Sequence, residues 1–221
     1  MIDTRFSWAV LCMVLIGGVF PFLPAFLEPI FIATAVRSIE NIQALMLFCI
    51  FVFTLIYMKP WTLPNGKKQF WFWAACWWLL LCGRSISWGR DYFPDVPKPY
   101  FRAISVVLIG SVVFMLFSKH LRQEIVHKFK TFSLPLWPSI LVIVTLAIVD
   151  WVEHLRGLYS LVLFDTRYQD FVEELYEFPF ILGLFLVAWA VMYKDYVVVK
   201  KEQKNWLNVE PEYLKSGQSR N

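Results

Sequence analysis

Long apolar runs broken by short charged intervals set the pattern of this chain. They predict six membrane spans: Phe6 to Leu27, Asn41 to Met58, Gln69 to Trp88, Ala103 to Ser118, Pro135 to His154, and Glu173 to Tyr193. Crossing about 30 Å of hydrocarbon takes about 20 helical residues. Three of the purely apolar runs fall short of that: Gln69 to Gly83, Leu134 to Val149 and Phe178 to Tyr193. Each continues at one end into charge, so each helix must draw part of a polar end to membrane depth. Ionisable groups at that depth are costly and by default mark a function. If the three ends share one side, they make a charged pocket. Gly17, Gly18, Pro21 and Pro24 predict a kink in the first span. The segment from Leu27 to Val36 reads either as an interfacial stretch or as an extension of that span.

Composition agrees. The chain is 58% hydrophobic and 19% aromatic, against about 45–50% apolar residues in an ordinary soluble domain. The predicted fold class is an all-α polytopic helix bundle over residues 1–193, followed by a polar cytoplasmic tail over 194–221, with no separate soluble domain. Ala33-Thr34-Ala35 resembles a signal-peptidase site. The apolar stretch before it is longer than a signal peptide's core of about 7–15 residues, and only Arg5 precedes it, set against Asp3. It reads as a retained first helix.

Basic residues set orientation in such bundles. With the N-terminus inside, the cytoplasmic segments carry Arg5, Lys59, Lys67, Lys68, Lys119, Arg122, Lys128, Lys130, Lys194, Lys200, Lys201, Lys204, Lys215 and Arg220. The outer segments carry half as many: Arg37, Arg84, Arg90, Lys98, Arg102, Arg156 and Arg167. Both termini are therefore expected in the cytoplasm. The run Lys119 to Lys130 is basic enough to suggest nucleic acid. Between two spans it reads instead as a cytoplasmic loop against anionic lipid, and no nucleic-acid partner is expected. Cys12, Cys49, Cys76 and Cys82 lack metal-ligand spacing and read as packing residues.

The candidate chemistry lies at the outer ends. In the fifth span Asp150, Glu153, His154 and Gly157 recur at i, i+3, i+4 and i+7, and in the sixth Asp170, Glu173, Glu174 and Glu177 do the same, so each set shares a helix face. Arg84, Ser87 and Asp91 align at the end of the third. Asp170 and Glu173 read as solvated caps favoured by the helix dipole. Glu174, Glu177, Asp150 and Glu153 are expected to face the interior, with the fifth and sixth spans meeting through them and His154 to form one pocket. Arg84 is expected within ion-pair reach of Glu174 or Glu177. Carboxylates with a neutral imidazole suit a divalent metal, so if a cation binds, His154, Glu153, Glu174 and Glu177 are its expected ligands. No HExxH, P-loop, GxSxG or GxGxxG pattern occurs.

The phrase Arg84-Ser-Ile-Ser-Trp-Gly-Arg90 resembles a short SWGR-type signature of uncharacterised bacterial multi-pass membrane proteins. The resemblance covers about seven residues, carries no activity, and implies the bacterial inner membrane. Three functions fit the pattern. One is an enzyme acting on a lipid or lipid-linked anionic substrate at the outer leaflet, with Glu174 or Glu177 as general base, His154 as proton partner or ligand, and Arg84, Arg90 and Ser87 holding the headgroup. The second is an assembly subunit docking a membrane-protein partner or a second copy. The third is a proton- or cation-coupled transporter carried by Asp150, Glu153, Glu174 and Glu177.

Overall fold

A computed structural model describes residues 2–90 and 92–218, the last stretch from residue 201 by its backbone alone. Asp91, expected to align with Arg84 and Ser87, lies outside the described residues, as does the end of the polar tail. The chain is all-α. Helices α1 (Trp8–Gly17), α2 (Ile32–Met58), α3 (Asn65–Ser85), α4 (Lys98–Met115), α5 (Lys119–Thr131), α6 (Leu136–Glu153) and α7 (Gln169–Gln218) follow one another, joined by short 3-10 turns. Two-residue strands, Ile2–Asp3 and Leu134–Pro135, pair in parallel and tie the N-terminus to the start of α6.

Four helices among the described residues are long and apolar enough to cross a membrane, in α2, α4, α6 and α7. A fifth crossing arises if α1 and the 3-10 helix Phe20–Phe26, bent by 41°, count as one span. The bend falls where the glycines and prolines predict it. The Tyr176 hydroxyl donates to the Gly17 carbonyl at 2.9 Å, covering a backbone acceptor that the broken helix leaves open. Helix α3 has the length, 21 residues, but its Lys67, Lys68, Gln69, Arg84 and tryptophans make it less apolar than the other four.

Apolar side chains fill the core and also cover much of the outside. Large apolar side chains such as Val106, Val107 and Phe114 on α4 face outward, while Gln43, Thr54, Thr145, Lys128 and Asp195 are buried. Exposed apolar surface on this scale requires a non-aqueous neighbour, and interior hydroxyls find local acceptors. Thr54 donates to the Ile50 carbonyl at 2.8 Å and Thr145 to that of Leu141 at 2.7 Å. Helices α6 and α7 pack closely at Gly183. A Cβ there would come within 2.9 Å of Val142 Cγ2, so only glycine fits this small-residue contact.

Two expectations change. The segment from Leu27 to Val36 does not extend the first span. After a short 3-10 turn it becomes the start of α2, which carries Arg37 and Glu40 on a helix longer than its apolar core. The connection Lys119 to Lys130 is itself a helix, α5, amphipathic and docked on α3 with Leu121 and Lys128 inward.

Candidate functional site

Helix α7 enters the bundle with Glu173, Glu174 and Glu177 just before Pro179. A proline inside a helix has no N–H to give the carbonyl four residues back, so the backbone is weakened at Leu175. Gln43, from α2 and fully buried, donates its side-chain amide to the neighbouring Glu174 carbonyl at 2.7 Å. The same amide's oxygen lies 3.4 Å from the Ser85 hydroxyl, which is 3.2 Å from the Glu40 carbonyl. These contacts lock α2, α3 and α7 together at one end of the bundle.

A cavity of about 150 Å³ opens between these three helices, room for several waters or a small polar fragment. Glu40, Arg84, Ser85, Ser87, Glu173, Glu174 and Glu177 line it, over an apolar floor of Leu47, Leu81, Phe180 and Ile181. Arg84 Nη2 lies 3.9 Å from Glu177 Oε1, and the arginine is 59% exposed where the carboxylate is 17% exposed. The expected reach of Arg84 to the sixth span is thus present. Glu174 Oε2 is buried without a hydrogen-bond partner. The site therefore joins an exposed guanidinium to enclosed carboxylates, a combination suited to holding and moving a proton beside an anionic group.

Glu173 departs from expectation. It was expected in water as a cap, and it lines the cavity, because α7 begins at Gln169 and puts Glu173 a full turn inside the helix. Asp170 is exposed as expected. Gln43 and Glu40 were missed. The signal was present, since a lone amide at the head of an otherwise apolar run must find a partner.

The single pocket between the fifth and sixth spans does not form. Helices α6 and α7 do pack as neighbours, but at this end they meet through apolar side chains, Val149 and Val152 of α6 against Phe171, Val172 and Leu175 of α7. Helix α6 stops at Glu153, and Leu155 and Gly157 turn left-handed with φ of 49° and 61°, so the i+7 position never reaches the helix face. Asp150 instead pairs with Arg156, at 2.7 and 2.8 Å to Nη2. His154 Nδ1 lies 3.7 Å from Asp150 Oδ1 and 3.8 Å from Glu153 Oε2. These three residues form a half-exposed cluster at the end of α6, apart from the cavity of Glu174 and Glu177. Among the described residues no three His, Cys, Asp or Glu side chains are placed to hold a metal ion. The donor set His154, Glu153, Glu174 and Glu177 does not converge on one centre.

The signature around Arg84 to Arg90 forms a tight turn. Ser87, Trp88 and Gly89 have φ of 47°, 60° and 91°, a left-handed run that side chains other than glycine rarely adopt. The Trp88 ring folds back over Gly83, where an added Cβ would lie 2.7 Å from Cζ3. This turn sends Arg84 to the acidic cavity and Arg90 away from it, with Ser87 between them. The Tyr92 hydroxyl bonds to the Asn41 side chain and ties the loop after the turn to α2. In the loop before α7, the Arg167 guanidinium grips Asp165 at 2.6 to 3.1 Å and holds that carboxyl below its usual range.

A second buried polar cluster lies at the opposite end. Lys128 of α5 pairs with Asp195 of α7, the two side chains being only 6% and 5% exposed. The Trp71 indole donates to the same carboxylate at 2.8 Å, Glu124 Oε1 lies 3.3 Å from the ammonium, and the Phe70 ring sits 4.6 Å below it. The residues from Lys194 were expected as a polar tail beyond the last span. The structure instead continues α7 and buries Asp195.

Comparison with known protein families, with curated proteins and with solved structures finds no match.

Gln43→Leu is expected to leave the Glu174 carbonyl without its donor and to destabilise the bundle by about 1–2 kcal/mol. Reversible unfolding in mixed micelles measures it, and a change within error of zero would show that the amide does not hold α2 to α7.

Proposed function

We propose that this chain is a bacterial inner-membrane protein of six membrane segments with both termini cytoplasmic. The sixth segment is α3, which adds to the four apolar spans and the bent first pair. Its acidic cavity is read as an enzyme site that faces the outer leaflet and acts on a lipid or lipid-linked anionic substrate. Glu177 is the proposed proton-transfer group, Glu174 and Glu173 shape the charge around it, and Arg84 meets the substrate's anion as it leaves the carboxylate.

The observation that carries the reading is the pairing of exposed Arg84 with enclosed Glu177 at a cavity that also holds an unpartnered carboxylate oxygen. A purely structural ion pair has no need of an adjoining cavity, whereas acid–base catalysis needs a positioned carboxylate beside space for a substrate. Asp150, Glu153 and His154 are left to the rim, where they meet the substrate's water-facing part.

Orientation is tested by reporter fusions within residues 157–166 and after Lys200. The two are expected to report opposite sides of the membrane, the second cytoplasmic. A cytoplasmic report from 157–166 would turn the cavity inward and end the outer-leaflet reading.

A further inference from the structure

The acidic cavity is graded in exposure. Arg84 is 59% exposed and Glu177 17% exposed, while Glu174 Oε2 is buried. The three carboxylates of α7, Glu173, Glu174 and Glu177, outnumber Arg84, the one cation among the described residues of the wall. Arg84 Nη2 stands 3.9 Å from Glu177 Oε1, close enough for charge attraction but too far for a hydrogen bond. The guanidinium's donors are therefore not committed to that carboxylate.

A row of carboxylates alone is commonly a solvated face. Glu174 differs, because its Oε2 is shut away from solvent and accepts no hydrogen bond, on a residue of the cavity wall. A buried carboxylate oxygen without a donor costs free energy, so such an atom in a folded bundle calls for one. Gln43 gives an N–H to the Glu174 main-chain carbonyl and leaves Oε2 without a donor. A metal ion does not fill the place, since no three acidic or metal-ligating side chains among the described residues converge on one centre. An ammonium does. It brings three N–H donors and a positive charge to a wall with surplus carboxylates, and a cavity of about 150 Å³ admits it.

We infer that this cavity binds a phosphate ester carrying a primary ammonium, with the ammonium against Glu174 and the phosphate at Arg84. The ammonium enters first, toward the enclosed carboxylate. The phosphate stays at the exposed guanidinium, whose fork matches its oxygens. A short carbon link between the two charges, as in phosphoethanolamine, lets one small group meet both. The ester is either a phospholipid headgroup or soluble phosphoethanolamine. The inference deepens the enzyme reading, and rests on it for the approach from the outer leaflet. It names the anion of that reading as a phosphate and sets a cation beside it.

The test uses full-length protein extracted from nanodiscs of phosphatidylethanolamine, phosphatidylglycerol and phosphatidylcholine in equal parts, with retained lipid counted by native mass spectrometry. Wild type is expected to retain phosphatidylethanolamine over phosphatidylglycerol, which has the phosphate without an amine. It is also expected to prefer it to phosphatidylcholine, whose methylated nitrogen has no N–H to donate. Glu174→Gln is expected to lower retention of phosphatidylethanolamine by about tenfold, the scale of one charge-assisted bond, and to leave phosphatidylglycerol as in wild type. Arg84→Gln is expected to lower both. Displacement of the lipid by soluble phosphoethanolamine marks a soluble ester, and resistance to it marks a lipid-borne one; either result supports the site. No preference for phosphatidylethanolamine in wild type overturns the inference without any variant. A preference that survives Glu174→Gln in folded protein also overturns it. Where that variant does not fold, Glu173→Gln on the same wall is expected to weaken the preference, and an unchanged preference there overturns the inference. Turnover does not enter this readout, so a wrong acid–base assignment of Glu177 leaves it standing. Turnover that depends on Glu177 in a protein with no preference for the amine would end this inference and spare the enzyme reading.

Discussion

Glu177→Gln is expected to lower turnover by about 10²–10⁴-fold, the range contributed by a positioned general acid or base. The substitution keeps the size and hydrogen-bonding shape of the side chain, removes its capacity to take a proton, and leaves Arg84 without its charged partner. Asp170→Asn, exposed on the first turn of the same helix, is expected to change nothing. The measurement is the conversion of an inner-membrane lipid extract in proteoliposomes, followed by mass spectrometry, for wild type and both variants. Glu173→Gln should fall between them, because its carboxylate borders the cavity without meeting Arg84 at pairing distance. Identical product and rate for wild type, Glu177→Gln and Asp170→Asn, in protein that still inserts and folds, would reduce the Arg84–Glu177 contact to a structural ion pair.

The largest effect on stability is expected at the other end. Lys128→Ala leaves Asp195 charged, buried and supported only by the Trp71 indole, and takes the cation away from Glu124. Removing one member of a buried pair costs about 3–5 kcal/mol. Replacing both members, Lys128→Met with Asp195→Asn, removes both charges and keeps an acceptor for the indole. It is therefore expected to recover part of that loss, because a buried pair contributes little over a well-packed neutral one, while Glu124 still lacks its cation. Unfolding in mixed micelles reads both variants. A cost below about 1 kcal/mol for the single change, the value of an exposed pair, would show that water reaches the cluster.

The helix order was legible where hydropathy and chain chemistry agree. The span expected over Asn41 to Met58 ends at Met58, because Lys59 turns left-handed with φ of 45° and Pro60 follows. The fifth ends within a residue of expectation. The start of α2 was not legible, because Ile32 to Glu40 mixes charge with apolar residues and a helix need not stop where its apolar core does. The acidic face of α7 was legible from its i, i+3, i+4 and i+7 spacing, but its neighbour was not. Chain adjacency pointed to α6, whereas Phe171, Val172 and Leu175 are the α7 side chains that meet α6, and Glu174 and Glu177 face the cavity with α2 and α3. Lys128 and Asp195 were missed because hydropathy placed them outside the spans. Periodicity held the clue: Leu121 and Lys128 stand seven apart on one face of α5, and Asp195 follows Met192 by three on the inward face of α7.

The Lys128–Asp195 contact also sets an order of assembly. The two residues are 67 apart in the chain, and Asp195 belongs to the last helix. Before α7 is made, α5 can dock on α3 and Lys128 can pair with Glu124 of its own helix, but Asp195 does not yet exist. The pair thus closes last, after α7 has delivered Glu174 and Glu177 to the far end of the bundle. A chain cut short before Asp195 would keep α5 beside α3 but leave the Lys128 ammonium without its carboxylate from the last helix.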